Sequence, residues 1–262
     1  MHEQFLRTAM LLGEDAVARL QKARVAVFGI GGVGGYTVEA LARSGVGQID
    51  VIDSDTVSLS NINRQILATE ATLGMPKTEA ARERIRLIHP GCLVHTRQEF
   101  YMPADKAELY RGTEGMTVSD RYDFTRYDYV VDAIDTVTAK LDIICRCREA
   151  GTPVISAMGT GNKTDPTGFT VTDIAKTNTC PLASVMRREL RKRGINHCKV
   201  VYSPTPPQKP LPDPEGGTKV SPASIAYVPP ICGLLLAGEV IRELTEGLLP
   251  TPTDPGQEGE RA

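Results

Sequence analysis

Apolar and polar positions along the chain follow two spacings, one typical of helices and one typical of short strands. Helical spacing covers residues 3–21, and it returns at 33–44, 76–88, 136–150, in PLASVMRRELRKRG and at 230–245. Short apolar or β-branched runs separate them: RVAVFG, QIDVID, LVHTRQEF, YDYVVDAID, TPVISAM, GFTVTDIAKT and KVVYS. Strands that alternate with helices predict an α/β fold, with a doubly wound, mostly parallel Rossmann-like sheet and an N-terminal helix.

The remaining segments lack either spacing. NINRQILATEATLG predicts an irregular polar connection, ADKAELY a short helix and RGTEGMTVSDRYDFTR a surface loop. Residues 203–222 contain seven prolines, so we expect a mobile Pro-rich loop near the C-terminus. We therefore expect one domain over residues 1–249, followed by a disordered tail at 250–262.

Composition narrows the class of protein. Apolar residues make up 41% of the 262, enough for a sizeable core, and the formal net charge is −2. Nucleic acid would therefore need a local basic patch rather than the charge of the whole chain. The six cysteines form no C-x-x-C pair, which argues against a zinc ribbon. The N-terminus does not look like a signal peptide and no apolar run is long enough for a bilayer, so we expect a cytoplasmic protein without membrane contact.

The stretch VFGIGGVGG combines a strand with a glycine-rich turn. Gly29, Gly31 and Gly34 fit the dinucleotide pattern, and Gly32 leaves still less side chain beside a ligand. A helix follows, and its N-terminus favours a phosphate. Asp53 ends the second strand 19 residues after Gly34, where an acid binds ribose hydroxyls. These features suit NAD and ATP equally.

The residues after Asp53 favour ATP over NAD. Asn61 and Arg64 follow closely, and Arg64 offers a planar fork for the oxygens of a triphosphate. Lys77, near the start of the next predicted helix, adds a second positive charge. Asp132 and Asp135 follow the fourth strand, where a carboxylate can hold Mg²⁺ together with substrate phosphates. We expect Arg64, Lys77 and Asp135 to be exposed charges of a cleft.

Four motifs, in this order, resemble the ubiquitin-activating-enzyme-like superfamily over about residues 4–246: GIGGVG, IDSDTVSLSNINRQ, GMPK and VVDAID. The resemblance implies ATP on the glycine turn, ribose on Asp53, and Mg²⁺ partly on Asp135. It also implies a homodimer in which an arginine near the N-terminus, here Arg7 in FLRTAMLLGE, reaches the ATP of the other subunit. The residues implied to hold the phosphates or to act in catalysis are Asn61, Arg7, Arg64, Lys77 and Asp135.

Two further stretches distinguish branches of that superfamily. Sulfur-carrier activators usually have two C-x-x-C zinc pairs, which this chain lacks. GTGNKTDPTGFTVTDIAKT and CPLASVMRRELRKRG look like the tRNA threonylcarbamoyladenosine dehydratase branch. That resemblance implies ATP-dependent activation of the carboxylate of threonylcarbamoyladenosine beside the anticodon, followed by cyclisation with loss of water. Activation of the C-terminus of a ubiquitin-like or sulfur-carrier protein stays the alternative. An NAD oxidoreductase and a non-catalytic nucleotide sensor are less favoured.

A tRNA substrate requires a basic surface. In MRRELRKR five of eight residues are basic, and Arg187, Arg188 and Arg191 share a helix face that could hold the anticodon arm. Near the modified base we expect three more contacts: Lys163, Asp173 and Lys176. Cys180 begins this helix, so either a chemical role or a place in the core is open for it. Whether a sulfur-transfer or other protein partner exists is left open.

Overall fold

The computed structural model describes residues 3–103, 116–211 and 222–248. In these ranges there are nine strands: β1 Arg24–Phe28, β2 Gln48–Ile52, β3 Leu93–Arg97, β4 Phe100–Met102, β5 Met116–Val118, β6 Tyr129–Asp132, β7 Val154–Ala157, β8 Thr170–Asp173 and β9 Lys199–Tyr202. Seven of them form one sheet in the order β3-β2-β1-β6-β7-β9-β8. All neighbours in it are parallel except β8, which runs antiparallel to β9.

Successive residues of a strand point to opposite faces of the sheet. Both faces carry apolar side chains here, and helices cover both. On one face Val25 and Val27 pack with α3 (Gly34–Arg43), α4 (Lys77–Ile88) and α7 (Val228–Leu244). On the other face Phe28 packs with α5 (Val137–Ala150) and with Tyr101, Tyr122 and Phe124. A second cluster on that side joins α5 to α6 (Pro181–Lys192). The predicted doubly wound α/β sheet is confirmed.

Several predicted elements differ in detail. The helix predicted at 3–21 is two helices, α1 (Leu6–Leu12) and α2 (Glu14–Lys22), because Gly13 between them has a φ of 90° that does not continue a helix. The predicted surface loop RGTEGMTVSDRYDFTR contains β5, which pairs in parallel with β4, and two short 3₁₀ turns. The short helix predicted for ADKAELY and the tail at 250–262 lie outside the described residues.

The Pro-rich stretch has no helix or strand in its described residues, 203–211 and 222. Within the described ranges, no helix has the length and apolar character needed to cross a bilayer. The strand order reverses between β1 and β6, so the loops that follow these two strands diverge and leave a crevice at the carboxyl edge of the sheet. This crevice is where a ligand is expected.

Candidate active site

A cleft of about 670 Å³ occupies that crevice. Its walls are the glycine turn after β1, the irregular crossover after β2, the loops after β6 and β7, and the first residues of α6. The cleft is lined by nine of the sequence-predicted residues: Gly29, Gly31, Gly32, Asp53, Asn61, Arg64, Lys77, Asp135 and Lys163. The fold therefore brings together residues that lie more than a hundred positions apart in the chain.

The glycine turn is tightly packed on its protein side and open on its cleft side. Gly29 has a φ of 80°, and its N–H donates to the carbonyl of Ile52 at 2.8 Å. A Cβ atom on Gly34 would lie 1.8 Å from the carbonyl oxygen of Gly29, so only glycine allows α3 to start there. A Cβ on Gly31 would meet nothing closer than the Gln65 amide at 3.6 Å. The open side leaves backbone N–H groups accessible to a phosphate.

Asp53 is fixed in position at the end of β2 by two backbone donors. Its carboxylate accepts from the N–H of Ile30 at 2.9 Å and from the N–H of Asp55 at 2.9 Å. Burial raises the pKa of Asp53, while the positive charge of Lys77 and these two N–H groups oppose that shift. The carboxylate is thus held beside the glycine turn, with oxygen lone pairs left for ribose hydroxyls.

Lys77 differs from the expectation of an exposed charge. It begins α4 and is 5% exposed, and its ammonium donates to the exposed carboxylate of Asp55 at 2.7 Å. The reason is that its backbone N–H also bonds the Asp55 carbonyl, at 2.9 Å, which draws the helix start against the crossover. Lys77 nevertheless lines the cleft. An incoming phosphate would compete with Asp55 for that ammonium.

Arg64 and Asn61 extend the cationic wall along the crossover. The Nη1 of Arg64 donates to the carbonyl of Ser60 at 2.7 Å and to the amide oxygen of Asn63 at 2.8 Å. Its Nε and Nη2 donate to no residue that the structure describes. Asn61 is buried, and its side-chain oxygen accepts from the N–H of Ser58 at 3.2 Å in a capping box. Arg64 is therefore held in place and retains donors for a phosphate.

The two acids after β6 have different environments. Asp132 is fully buried, where it pairs with the equally buried Lys140 at 2.9 Å and accepts from the hydroxyl of Ser156 at 2.6 Å. Lys140 also donates to the carbonyl of Ile134 at 3.1 Å, which holds the loop that lines the cleft. Asp135 is exposed in the cleft and bonds only to the hydroxyl of Thr136 among described residues. Asp132 thus supports the loop, and Asp135 is the acid available to Mg²⁺.

A metal site built from protein alone is absent from the described residues. No group of three or more His, Cys, Asp or Glu side chains there could hold an ion. Mg²⁺ commonly keeps several waters and takes one or two carboxylates plus substrate phosphates. A single exposed carboxylate at Asp135 next to a phosphate turn fits that pattern, so the residues present suit Mg²⁺ brought in with a nucleotide.

Arg7 lies outside the cleft of its own chain. It is exposed on α1, and no residue of that helix lines the cleft. The same helix exposes three large apolar side chains, with 49% of Leu6, 78% of Met10 and 75% of Leu11 accessible. Three such side chains on one short helix mark a surface suited to a protein contact.

The expected base-contacting residues are separated by the fold. Lys163 lines the cleft but is buried, and its ammonium donates to the carbonyls of Ser203 and Thr205. Because β8 is antiparallel, Asp173 pairs in register with Lys199 at the start of β9, at the sheet edge opposite to the cleft. The fold therefore places Asp173, and with it the nearby Lys176, away from the cleft of their own chain, and their contact with the modified base stays a prediction.

Asp173 has a local structural role at that opposite edge. Its carboxylate accepts from the N–H of Ala175 at 2.7 Å, which caps the 3₁₀ turn Ile174–Lys176, and it lies 3.2 Å from Nδ1 of His197.

Burial lowers the pKa of Lys163, which leaves its ammonium dependent on the loop carbonyls it binds. Sequence reasoning could not find the Asp173–His197 contact or the bonds of Lys163, because their partners lie 24 to 42 residues away along the chain.

The basic face of α6 lies away from the cleft. Cys180 and Pro181 line the cleft at the start of the helix, so Arg187 and Arg191 are about 9 and 15 Å further along its axis. Arg187 donates to the carbonyl and hydroxyl of Thr177, at 2.8 and 2.6 Å. The shared face is therefore only partly free for a ligand.

Glu189 neutralises much of the remaining charge on α6. It pairs with Arg188 at 3.1 Å, with Lys192 at 2.9 Å and with Arg193 at 3.4 Å. These bonds lower the pKa of Glu189 to about 2, so it stays ionised. Arg191 is exposed and makes no side-chain bond to the described residues, which makes it the most available of the predicted phosphate contacts.

The cysteines are mostly core residues. Cys180 is 2% exposed at the N-cap of α6, and it is the one cysteine among the described cleft residues. Burial raises the pKa of Cys198 and Cys232 to about 12, and it also raises that of Cys147. All six thiols are free.

Among the cleft residues that the sequence did not predict, three follow a single strand. Glu99, Phe100 and Tyr101 line the wall beyond Asp53. They follow β3, so the rule that ligands meet the carboxyl ends of parallel strands could have identified them. The predicted strand LVHTRQEF obscured this, because β3 ends at Arg97 and the chain turns there into β4.

The chain is similar to a protein family, to named relatives and to solved structures. Residues 5–255 match the model of the ThiF family. A tRNA threonylcarbamoyladenosine dehydratase of Bacillus subtilis is 38% identical over 259 residues, 95% of this chain and 97% of that protein. One of Haemophilus influenzae is 41% identical over 191 residues, covering 72% and 68%. The crystal structure of the E. coli tRNA N6-threonylcarbamoyladenosine dehydratase in complex with ATP is 33% identical, with a TM-score of 0.77, covering 92% and 93%.

Proposed function

Because this chain belongs to the ThiF family, we propose that it is an ATP-dependent enzyme that dehydrates threonylcarbamoyladenosine in tRNA. The observation that carries the proposal is the convergence of Asp53, Arg64, Lys77 and Asp135 on one open glycine turn. A ribose acid, two phosphate-binding cations and a Mg²⁺-binding acid are what an adenylating or phosphorylating site needs. The ATP-bound relative, which shares the fold at 33% identity, supports ATP as the nucleotide.

ATP would lie with its ribose at Asp53 and its phosphates between the glycine turn, Asn61, Arg64 and Lys77. Mg²⁺, held by Asp135 and the phosphates, would supply charge neutralisation at the phosphorus under attack. Arg64 and Lys77 would stabilise charge that develops on the phosphate oxygens. Arg64 can do so through its Nε and Nη2 while Nη1 keeps its bond to Asn63. Lys77 must leave Asp55, and a charge-assisted bond to phosphate favours that exchange.

The substrate carboxylate is a poor electrophile until it has a leaving group. One of its oxygens attacks phosphorus of ATP, and either pyrophosphate or ADP departs. A nucleophile of the same modified base then attacks the activated carbonyl carbon and expels AMP or phosphate, so the base loses the elements of water. Because ring closure is intramolecular, effective molarity can replace a catalytic nucleophile, and Cys180 is not required.

Bulk tRNA incubated with the protein, ATP and Mg²⁺ tests this function directly. Nucleoside mass spectrometry should show threonylcarbamoyladenosine converted to a product lighter by one water. Asp135→Asn should abolish conversion, whereas Asp120→Asn, an exposed acid outside the cleft paired with Arg146, should retain it. No conversion with tRNA, together with ATP turnover that depends on the C-terminal carboxylate of a small carrier protein, would favour the alternative function.

We also propose a homodimer that works in the cytoplasm. The exposed apolar side chains of α1 would be covered by the partner, and Arg7 on the same helix would reach the partner's nucleotide. The six free thiols are consistent with a reducing compartment. Light scattering should give twice the chain mass, and Met10→Asp should shift the protein toward monomer.

Phosphate contacts of tRNA would fall on the free part of the α6 surface. Arg191→Glu should weaken tRNA binding and lower the dependence of log Kd on log salt by about 0.7 for a single-strand phosphate contact. Arg86→Glu on α4, which packs on the other face of the sheet, is the matched control and should change neither. An unchanged salt slope in Arg191→Glu would remove α6 from the tRNA surface.

A further inference from the structure

One loop residue bonds both to the Pro-rich stretch and to the residue that directly follows it. Asn162 follows β7, and its backbone has a left-handed φ of 60°. Its N–H donates to the carbonyl of Ala223 at 2.7 Å, and its side-chain oxygen accepts from the N–H of Ala223 at 2.7 Å. Its carbonyl accepts from the N–H of Gln208 at 2.6 Å. Residues 208 and 223 are thereby fixed to the same point of the cleft wall.

A second attachment reaches the next residue, Ser224, from the phosphate side of the cleft. The side-chain nitrogen of Asn63 donates to the carbonyl of Ser224 at 3.1 Å. The oxygen of the same amide accepts from Nη1 of Arg64 at 2.8 Å. Asn63 itself is exposed and is not among the residues that line the cleft. A single amide therefore connects a phosphate-binding arginine to the backbone next to Ala223.

The two bonds of Asn63 support each other. The amide can accept from Arg64 and donate to Ser224 only in one orientation, so each bond fixes the rotamer needed by the other. The second bond of Nη1, to the carbonyl of Ser60, uses its other hydrogen and leaves Nε and Nη2 for a ligand. We call residues 222–225 seated when Ser224 is bonded to Asn63 in this way. Arg64 is then already oriented for phosphate, so less conformational entropy is lost when the nucleotide binds.

We propose that Asn63 is a positioning residue that couples the phosphate-binding arginine to residues 222–225. The coupling is positive: nucleotide bound at Arg64 stabilises the seated segment, and the seated segment strengthens nucleotide binding. Reciprocity between the two effects follows from linkage. The proposal rests on the proposed function only in that ATP is the ligand of Arg64. Since Pro222 and Ser224 line the cleft, the segment so held forms part of the wall that a substrate would meet.

Hydrogen exchange measured with and without a non-hydrolysable ATP analogue and Mg²⁺ tests the coupling without any tRNA. In the unmodified protein, exchange in a peptide covering residues 222–227 should slow at least about fivefold when the analogue binds, the lower end of usual coupling strengths. Asn63→Ala should abolish this slowing and weaken analogue binding about fivefold by calorimetry, because Arg64 loses one of its two anchors. Asn196→Ala, at another exposed asparagine away from the cleft, should match the unmodified protein in both.

Asn63→Asp separates the two bonds. An aspartate still accepts from Arg64 but cannot donate to Ser224, so the analogue-dependent slowing should again be lost. Slowing that persists in either variant overturns the proposal, as does analogue binding to the unmodified protein with no change at 222–227. If the unmodified protein binds no analogue in calorimetry, the proposed function fails as well. Equal melting temperatures of the variants without nucleotide exclude a general loss of folding.

Discussion

Gly31 and Gly34 belong to the same turn, yet an added methyl group meets different surroundings at each. On Gly34 the Cβ would lie 1.8 Å from the carbonyl oxygen and 2.9 Å from the carbonyl carbon of Gly29, a backbone overlap that no rotamer can relieve. On Gly31 the nearest atom is the Gln65 amide nitrogen at 3.6 Å, an ordinary contact. One substitution should therefore damage the fold and the other the ligand site.

Gly34→Ala should destabilise the protein without nucleotide. Overpacking costs about 1–3 kcal/mol as a rule. For a chain of this size, each kcal/mol shifts the melting temperature by about 2–4 °C, so we expect a fall of about 2–12 °C. Gly31→Ala should leave the melting temperature unchanged or raise it slightly, because alanine restricts the unfolded chain by about 0.4–1 kcal/mol.

Gly31→Ala, which should not lower the melting temperature, should weaken the binding of ATP. The methyl group of Gly31→Ala would project from the open side of the turn and keep a phosphate oxygen from one backbone N–H. Losing one charge-assisted hydrogen bond costs about 1.5–3 kcal/mol. That corresponds to roughly a 10- to 150-fold weaker Kd.

Differential scanning fluorimetry and calorimetric titration with ATP and Mg²⁺ measure the two effects separately. The reasoning would be refuted by Gly31→Ala binding ATP as tightly as the unmodified protein. It would also be refuted by Gly34→Ala melting at the unmodified temperature, since the start of α3 would then tolerate a side chain.

Three further outcomes are expected. Lys140→Met should destabilise the protein by about 3–5 kcal/mol in urea unfolding, because it leaves Asp132 buried and unpaired, and adding Asp132→Asn should recover part of that loss. An equal mixture of exchanged Arg7→Ala and Asp135→Ala chains should regain about a quarter of the activity, since one site in each mixed dimer is whole; no regain would place Arg7 outside the partner's site. Cys232, buried with a pKa of about 12, should resist iodoacetamide at pH 8 until the protein is unfolded, as mass spectrometry of trapped peptides can check.

The sequence alone determined the seven strands of the main sheet, their alternation with helices and the chemistry at the ends of β1 and β2. All three depend on local features: apolar spacing, a glycine turn and an acid at a strand end can be read within one or two elements. The bounds of α3 and α5 agree with their predictions to within a residue at each end. Asp53 and the glycine turn meet because two adjacent parallel strands bring their carboxyl ends together.

Only the tertiary structure decided which charges face the cleft. Whether Asp132 or Asp135 is available depends on Lys140, which approaches from a helix that packs beneath the loop. The burial of Lys77 follows from its bond to Asp55, across the crossover. A pattern of residue types does not specify such pairings, because they arise from the packing of elements against one another.

The direction of a strand and the pairing of distant residues could not be predicted from the sequence either. A strand reads the same whether it runs parallel or antiparallel, so the reversal of β8 could not be predicted, and it moves Asp173 to the edge opposite to the cleft. Asn63 bonds a backbone carbonyl 161 residues further along the chain. The sequence therefore determined which chemistry the protein carries, and the tertiary structure decided which residues meet, because local spacing constrains neighbours in the chain and packing alone selects partners that are distant in it.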